Sequence, residues 1–199
     1  MSIRKIIPWA MVVFRAIAGA IIPLLAWKLP SPELWLGLLA TAGFLSDVYD
    51  GILARRWGTA TAPLRLADSA IDTLFYLGIL AAVILRHGSA LRERSWLLAG
   101  LLALEAARHL FDWLKYRRMA SYHTYASRLW GALLASATIA LLCFNSAFFL
   151  LTFALAWGIL CDLEGLLISI LLPEWKHDVK SIPRAFALRR EMLTRAAVS

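Results

Sequence analysis

Six apolar stretches dominate the chain and restrict what it can fold into. They cover approximately residues 6–27, 33–56, 64–86, 95–116, 124–144 and 146–172, and each is long enough to cross a bilayer. Backbone groups in hydrocarbon must be paired within the protein, so only helices and closed barrels span membranes. None of the stretches shows the apolar–polar alternation of barrel strands. The sequence therefore predicts an all-α, polytopic membrane protein with six transmembrane helices.

The composition supports this class. Hydrophobic residues make up 61% of the 199 positions and the mean hydropathy is +0.69, which is too apolar for a soluble domain. The net charge is +8, but the basic residues are divided among loops, so nucleic acid is not expected as a partner. Cys143 and Cys161 lie in apolar stretches and are predicted to be buried free thiols.

The placement of the basic residues predicts the orientation. Fifteen of the 21 fall on one side of the predicted membrane and four on the other. By the positive-inside rule, both termini and the basic turn around Arg55 face the cytoplasm. We expect one membrane domain over residues 1–172. A basic amphipathic cytoplasmic tail over 173–199 is expected to lie on membrane lipids.

Four aspartates lie inside or at the edge of two apolar stretches. Asp47 shares a helix face with Asp50, and Asp68 shares one with Asp72, at about 100° per residue. An aspartate at the centre of a membrane helix costs roughly 2.5–3.5 kcal/mol, and close carboxylates repel one another, so a cation is expected beside them. Four carboxylates balance two divalent ions, and oxygen ligands favour Mg²⁺ or Mn²⁺.

The spacing around these aspartates resembles the CDP-alcohol phosphatidyltransferase family. The family pattern is D-x2-D-G-x2-A-R, about eight residues, then G-x3-D-x3-D. This chain reads Asp47-x2-Asp50-Gly51-x2-Ala54-Arg55, eight residues, then Leu64-x3-Asp68-x3-Asp72. Seven of the eight defining positions match, and a leucine replaces the second glycine. The resemblance is specific over this segment.

The resemblance implies a role for each aspartate. Asp47, Asp50 and Asp68 look like ligands of two divalent ions. Asp72 looks like a further ligand that also removes the proton from the attacking hydroxyl. A buried polar network without catalysis is the alternative.

Other positions look like substrate contacts by the same resemblance. Gly51 and Ala54 would let a nucleotide approach the backbone, and Arg55 fits a phosphate clamp, although helix packing and topology also explain these residues. Leu64 would fill space that a glycine leaves open. Its presence implies a shifted nucleotide, a different donor or an inactive relative. Arg128 resembles a basic residue near an acceptor phosphate, with a purely topological loop as the alternative.

The implied reaction is phosphatidyl transfer in phospholipid biosynthesis. An alcohol attacks the diphosphate of a CDP-linked donor such as CDP-diacylglycerol, and CMP leaves. Glycerol 3-phosphate or phosphatidylglycerol is the expected acceptor, and the resemblance implies a homodimer in a bacterial-type inner (cytoplasmic) membrane. Two alternatives stay open: a degenerate relative that binds metal or lipid without catalysis, and an ion-coupled carrier. Paired halves with broken helices, typical of carriers, are not visible in the sequence.

Further charged residues lie in apolar stretches. Arg15, with a proline eight residues later, resembles a feature of the family's first span, and it could also pair with an acid for stability alone. Glu105 and Arg108 are spaced to pair on one helix. Asp162 and Glu164 have no place in the motif. They would either partner Arg15 or Arg108 or mark a functional site, and the pattern does not decide between these.

Overall fold

Seven α-helices make up most of the part of the chain that the structure describes. The computed structural model describes residues 3–59, 61–118, 120, 122, 124–144, 148–176 and 178–198, and this part of the chain contains no strand. In chain order the helices are α1 (Ile3–Lys28), α2 (Glu33–Arg56), α3 (Ala62–Glu93), α4 (Ser95–Tyr116), α5 (Tyr125–Phe144), α6 (Phe148–Leu171) and α7 (Ile182–Val198). The predicted all-α class is confirmed, and a helix forms in each of the six apolar stretches.

Five of these helices, within the described residues, are long and apolar enough to cross a membrane. They are α1 from Ile6 onward, α2, α3, α5 and α6. The helix α4 lies where the fourth span is predicted, but its 22 residues include Glu105, Arg108, Asp112 and Lys115. Charged residues are costly inside a bilayer, and α4 is not among the five candidate spans. The predicted count of six spans is therefore not confirmed.

The chain divides into two compact units. Unit 1 combines Met1–Leu91 with Thr138–Ala147, and unit 2 combines Arg92–Ala137 with Phe148–Ser199. The helices α1 and α2 belong to unit 1, and α4, α6 and α7 belong to unit 2. The helices α3 and α5 each contribute residues to both. The division into a membrane domain over 1–172 and a tail over 173–199 stays a prediction.

Glycines bring the helices of unit 1 into close contact. A methyl group at Gly78 of α3 would overlap the carbonyl of Gly19 on α1, and one at Gly19 would lie 2.8 Å from the Cα of Phe75. The Phe75 ring is 1% exposed, covers Gly43 of α2 and meets Phe44 edge-on with centroids 5.9 Å apart. Small residues thus allow α1 and α3 to approach at backbone distance, and one aromatic ring joins them to α2.

The turn between α2 and α3 is fixed by backbone hydrogen bonds. Gly58 follows the last turn of α2 with φ of 64°, in the left-handed region that glycine adopts without strain. Its N–H donates to the Arg55 carbonyl at 3.3 Å, and the Thr59 N–H donates to the Ala54 carbonyl at 2.9 Å. This is a Schellman motif, which satisfies two carbonyls at the end of a helix. The motif ends α2 at a defined residue.

The start of α3 is fixed in the same way. The Thr61 hydroxyl accepts the Leu64 N–H at 3.4 Å, as an N-cap side chain does, and Pro63 occupies the first turn. Leu64, Asp68 and Asp72 follow at intervals of four residues on one side of α3. The cap therefore sets the helical register of the acidic side chains.

In unit 2, the last residues of α4 form hydrogen bonds with the carboxyl end of α6. The Lys115 ammonium donates to the carbonyls of Ser169, Ile170 and Leu172 at 2.7, 3.1 and 2.8 Å. The Tyr116 hydroxyl lies 2.7 Å from the first and 2.8 Å from the last of these oxygens. These contacts supply partners to carbonyls that a helix end leaves unpaired.

The amphipathic helix predicted in the tail is α7. Ala185 is buried in a cluster with Ile168, Leu172 and Val179, and Leu188 and Met192 pack against this cluster. The outward side carries exposed basic residues, Arg184, Arg189 and Arg190. Both cysteines are free, as expected, but they are partly exposed rather than buried.

Candidate functional site

The four aspartates singled out from the sequence converge in unit 1 on one buried guanidinium. Arg15 of α1 has a side-chain exposure of 0%. Its Nη1 lies 3.2 Å from Asp47 Oδ1, its Nη2 lies 2.6 Å from Asp50 Oδ2, and its Nε lies 3.0 Å from Asp72 Oδ1. The Nη2 atom also pairs with Asp68. Three helices therefore contribute to one charged cluster, which we call the acidic cluster: Arg15, Asp47, Asp50, Asp68 and Asp72.

The acidic cluster is not electrically balanced by the arginine. Four carboxylates facing one guanidinium leave three negative charges uncompensated when all four are ionised. Asp50 Oδ2 and Asp72 Oδ1 are buried at ion-pair distance from Arg15, yet no donor among the described residues meets them in hydrogen-bond geometry. Buried acceptors without an aligned donor are costly. Further positive charge would therefore stabilise the cluster.

The oxygen atoms are spaced as a cation site requires. Asp47, Asp50 and Asp68 each offer one carboxylate oxygen, and these oxygens lie within 4.8 Å of one another. Asp72 lies outside this triplet, on the Nε side of Arg15. The second oxygen of Asp47 accepts a hydrogen bond from the Tyr76 hydroxyl at 3.0 Å, which fixes its orientation. A set of carboxylate oxygens fits Mg²⁺ or Mn²⁺ better than a soft metal.

A cavity of about 310 Å³ opens beside the acidic cluster. It is enclosed by residues of the first three helices: Pro8, Val12, Asp50, Gly51, Ala54, Arg55, Leu64 and Asp68. The predicted substrate contacts of α2 and α3 all lie in its wall. At Gly51 an added methyl group would stand 3.4 Å from Arg55 Nη1, so the guanidinium lies alongside that glycine. The cavity therefore joins two carboxylates, one arginine and two small residues.

Leu64 forms part of the cavity wall. Its side chain is 6% exposed and packs with Val12 and Ala54, with Ala67 and Ile71 against the same cluster. A glycine at this position would leave that volume open. The structure thus places the one departure from the family pattern in the same cavity as five of the seven matching positions.

Arg128 is not brought together with the acidic cluster in one unit. It lies exposed on the first turn of α5, in unit 2. Lys115, another basic residue of unit 2, is engaged with carbonyls at the end of α6. The predicted acceptor contact at Arg128 remains a prediction.

Unit 2 holds a second polar cavity, of about 340 Å³. Arg108 and Asp162 line it and form an ion pair, with Nε 3.3 Å from Oδ1. The expected pairing of Glu105 with Arg108 is not found. Glu105 instead lies 3.8 Å from His109 Nε2. The reason is Gly165, which leaves a groove on α6 that Arg108 fills, since a methyl group there would stand 2.9 Å from Arg108 Cδ.

The partner of Asp162 is therefore Arg108 and not Arg15. The sequence pattern indicates Arg15 only as a family feature or a stabilising partner, and it does not predict contact with all four aspartates. The available signal was its position in the middle of an apolar stretch, where an unpaired arginine is expensive. Asp112, which is fully buried on α4, was not singled out at all.

The comparisons with known proteins give the family of the chain. Residues 5–169 match the family model described as CDP-alcohol phosphatidyltransferase. The chain belongs to this family. A curated relative is the CMP-forming cardiolipin synthase of Streptomyces coelicolor, which is 36% identical over 92 residues. That match covers 43% of this chain and 41% of the synthase. No solved structure matches the chain.

Proposed function

We propose that this protein transfers a phosphatidyl group from a CDP-linked lipid such as CDP-diacylglycerol to an alcohol, with release of CMP, in phospholipid biosynthesis. The observation that carries the proposal is the acidic cluster, built from three helices and placed beside a cavity that holds the remaining motif residues. Membership of the family gives the reaction class.

The donor is proposed to bind in the cavity beside the acidic cluster. Its volume of about 310 Å³ is within the range of small-molecule sites, at the lower end, and it is open to its surroundings on one side. Gly51 and Ala54 let the nucleotide lie against α2. Arg55 donates to diphosphate oxygens, for which its planar fork is suited. Leu64 then decides how deeply the nucleotide can enter.

The four aspartates are proposed to hold two Mg²⁺ or Mn²⁺ ions, since their oxygens fit a hard cation and the cluster lacks positive charge. Such ions, when bound, neutralise the diphosphate and stabilise the leaving oxygen. Asp72 is proposed as the base, because it lies at the edge of the oxygen triplet and not within it. It would accept the proton from the acceptor hydroxyl as that oxygen attacks phosphorus.

The acceptor is proposed to be phosphatidylglycerol rather than glycerol 3-phosphate. The similar Streptomyces protein is a CMP-forming cardiolipin synthase, which favours a phospholipid acceptor. Arg128 is proposed to contact the acceptor phosphate from the start of α5. The distribution of basic residues supports a cytoplasmic active site and cytoplasmic termini in an inner membrane, with the tail on membrane lipids. A homodimer is proposed on the family resemblance.

The test is CMP release by the purified protein in lipid nanodiscs. CDP-diacylglycerol and Mg²⁺ or Mn²⁺ are supplied with phosphatidylglycerol, glycerol 3-phosphate or no acceptor. We expect acceptor-dependent CMP release that Asp72→Asn abolishes. Asp162→Asn, a control at an ion-paired acid of unit 2, should retain turnover. Metal binding without CMP release from any donor and acceptor would identify a degenerate relative and refute the proposed transfer.

A further inference from the structure

Arg15 occupies space that the proposed metal site also needs. Its Nη2 atom pairs with both Asp50 and Asp68, which are two of the three residues whose oxygens lie within 4.8 Å of one another. Its Nη1 lies 3.2 Å from the third, Asp47. A guanidinium nitrogen and a divalent ion cannot both sit among the same three oxygens. One of them must give way to the other.

We propose that Arg15 is a built-in counter-charge that holds the acidic cluster together before metal binds, and that divalent ions displace it from part of its ion pairs. This inference rests on the proposed function, because it assumes that the aspartates bind metal. Arg15 is then a positioning residue, because it keeps the carboxylates of α2 and α3 facing one another until metal takes its place.

Burial and charge support the first half of the proposal. The Arg15 side chain is fully buried and reaches from α1 to acids on two other helices. Carboxylates within 4.8 Å of one another repel strongly away from bulk water. Without a cation they would separate or take up protons. A single arginine that touches all four opposes both outcomes.

The geometry of the ion pairs supports the second half. The contacts from Arg15 to Asp50 Oδ2 and Asp72 Oδ1 have ion-pair distances but lack hydrogen-bond alignment. The pairs with Asp47, at 3.2 Å, and with Asp68 do meet hydrogen-bond geometry. Misaligned contacts give little directional stabilisation, so a cation can replace them at small cost. We therefore expect Arg15 to release Asp50 and Asp72 more readily than Asp47 and Asp68.

The experiment compares Arg15→Gln with the wild-type protein by thermal unfolding and by calorimetric titration with Mg²⁺ and Mn²⁺. In chelator, removing the partner of buried charges should lower Tm by on the order of 10 °C. Saturating metal should restore most of that loss, because ions take over the neutralisation. The metal Kd of the variant should be at least tenfold lower than that of the wild type, because no guanidinium competes.

The matched control is Arg86→Gln. Arg86 belongs to the same unit and pairs with Glu33 at 3.2 Å, outside the acidic cluster. Its loss should lower Tm slightly and leave the metal Kd unchanged. Arg15→Lys keeps a charge but not the forked guanidinium, so its Tm in chelator should lie between those of the wild type and Arg15→Gln, and its metal Kd should also fall.

The outcomes separate this inference from the proposed function. If the wild-type protein takes up no metal, the proposed metal site is wrong and the inference falls with it. If the wild type binds metal and Arg15→Gln binds with the same Kd and the same Tm gain, the inference is overturned and the proposed function stands. If Arg15→Gln does not fold even with metal, Arg15→Lys decides: a metal Kd equal to that of the wild type overturns the inference.

Discussion

Truncation of Leu64 tests whether this residue controls entry of the nucleotide. Leu64→Ala keeps the helix and removes three carbon atoms from a side chain that is 6% exposed. At about 0.8 kcal/mol per buried methylene, the stability loss is about 2 kcal/mol, at the low end for core leucines because the site adjoins an existing cavity. For a chain of this size the Tm falls by about 4–8 °C.

Leu64→Ala should strengthen binding of the donor although it lowers the stability of the fold. Replacing the isobutyl group by a methyl group enlarges the cavity next to Ala54, so a CDP-alcohol should bind about tenfold more tightly, which corresponds to about 1.4 kcal/mol. The assay is calorimetric titration of a CDP-alcohol in Mg²⁺, with thermal unfolding in parallel.

The control for this prediction is Leu36→Ala. Leu36 is 1% exposed and lies on α2, about 21 Å along the helix from Asp50. It should lose at least as much stability and leave the donor Kd unchanged. A donor Kd for folded Leu64→Ala within twofold of wild type would refute the reasoning, because it would show that the nucleotide does not meet this wall.

Two further predictions concern packing and charge. Gly78→Ala should destabilise unit 1 by about 3 kcal/mol, because its methyl group overlaps the backbone of α1. The control Gly131→Ala has no atom within 4 Å of the added methyl group and should be neutral or slightly stabilising. Equal Tm values for the two variants would contradict the close approach of α1 and α3. Arg108→Gln and Asp162→Asn should each lower the free energy of unfolding by about 3 kcal/mol, as measured by chemical unfolding. The double variant should lose less than the sum of the two single losses. Additive losses would show that the two side chains do not interact.

Much of the fold follows from the sequence because apolar stretches and turn residues are local signals. The predicted range 33–56 coincides with α2 because Pro32 precedes it and Gly58 ends it. The prediction for α3 ended at residue 86, but the helix continues to Glu93 past a non-helical His87. Hydropathy measures apolar side chains and not backbone hydrogen bonds, so a polar helical extension is missed.

The acidic cluster was only partly accessible from the sequence. Within one helix, spacing places Asp47 with Asp50 and Asp68 with Asp72, and the structure brings both pairs together. The arginine at their centre comes from another helix, 32 residues before the first aspartate, and no local period connects them. Such a pairing depends on how helices pack, which residues such as Gly19 decide.

The sequence predicted the wrong partner for Arg108, Glu105, for a related reason. Its spacing from Glu105 permits a pair on α4, but an exposed pair within one helix is worth only a few tenths of a kcal/mol. Gly165 of α6 provides a groove in which the arginine meets Asp162. Tertiary packing overrode the local preference.

The hydrogen bonds of Lys115 to carbonyls at the end of α6 restrict its role in binding the proposed anionic acceptor. An ammonium group carries three hydrogens, and the three carbonyls beneath it take one each. It therefore has no hydrogen to offer an incoming phosphate unless the last turn of α6 is disrupted. In the proposed reaction, contact with the acceptor phosphate then depends on guanidinium groups, such as those of Arg117 and Arg118 after α4 and of Arg128 on α5, whose side chains are exposed.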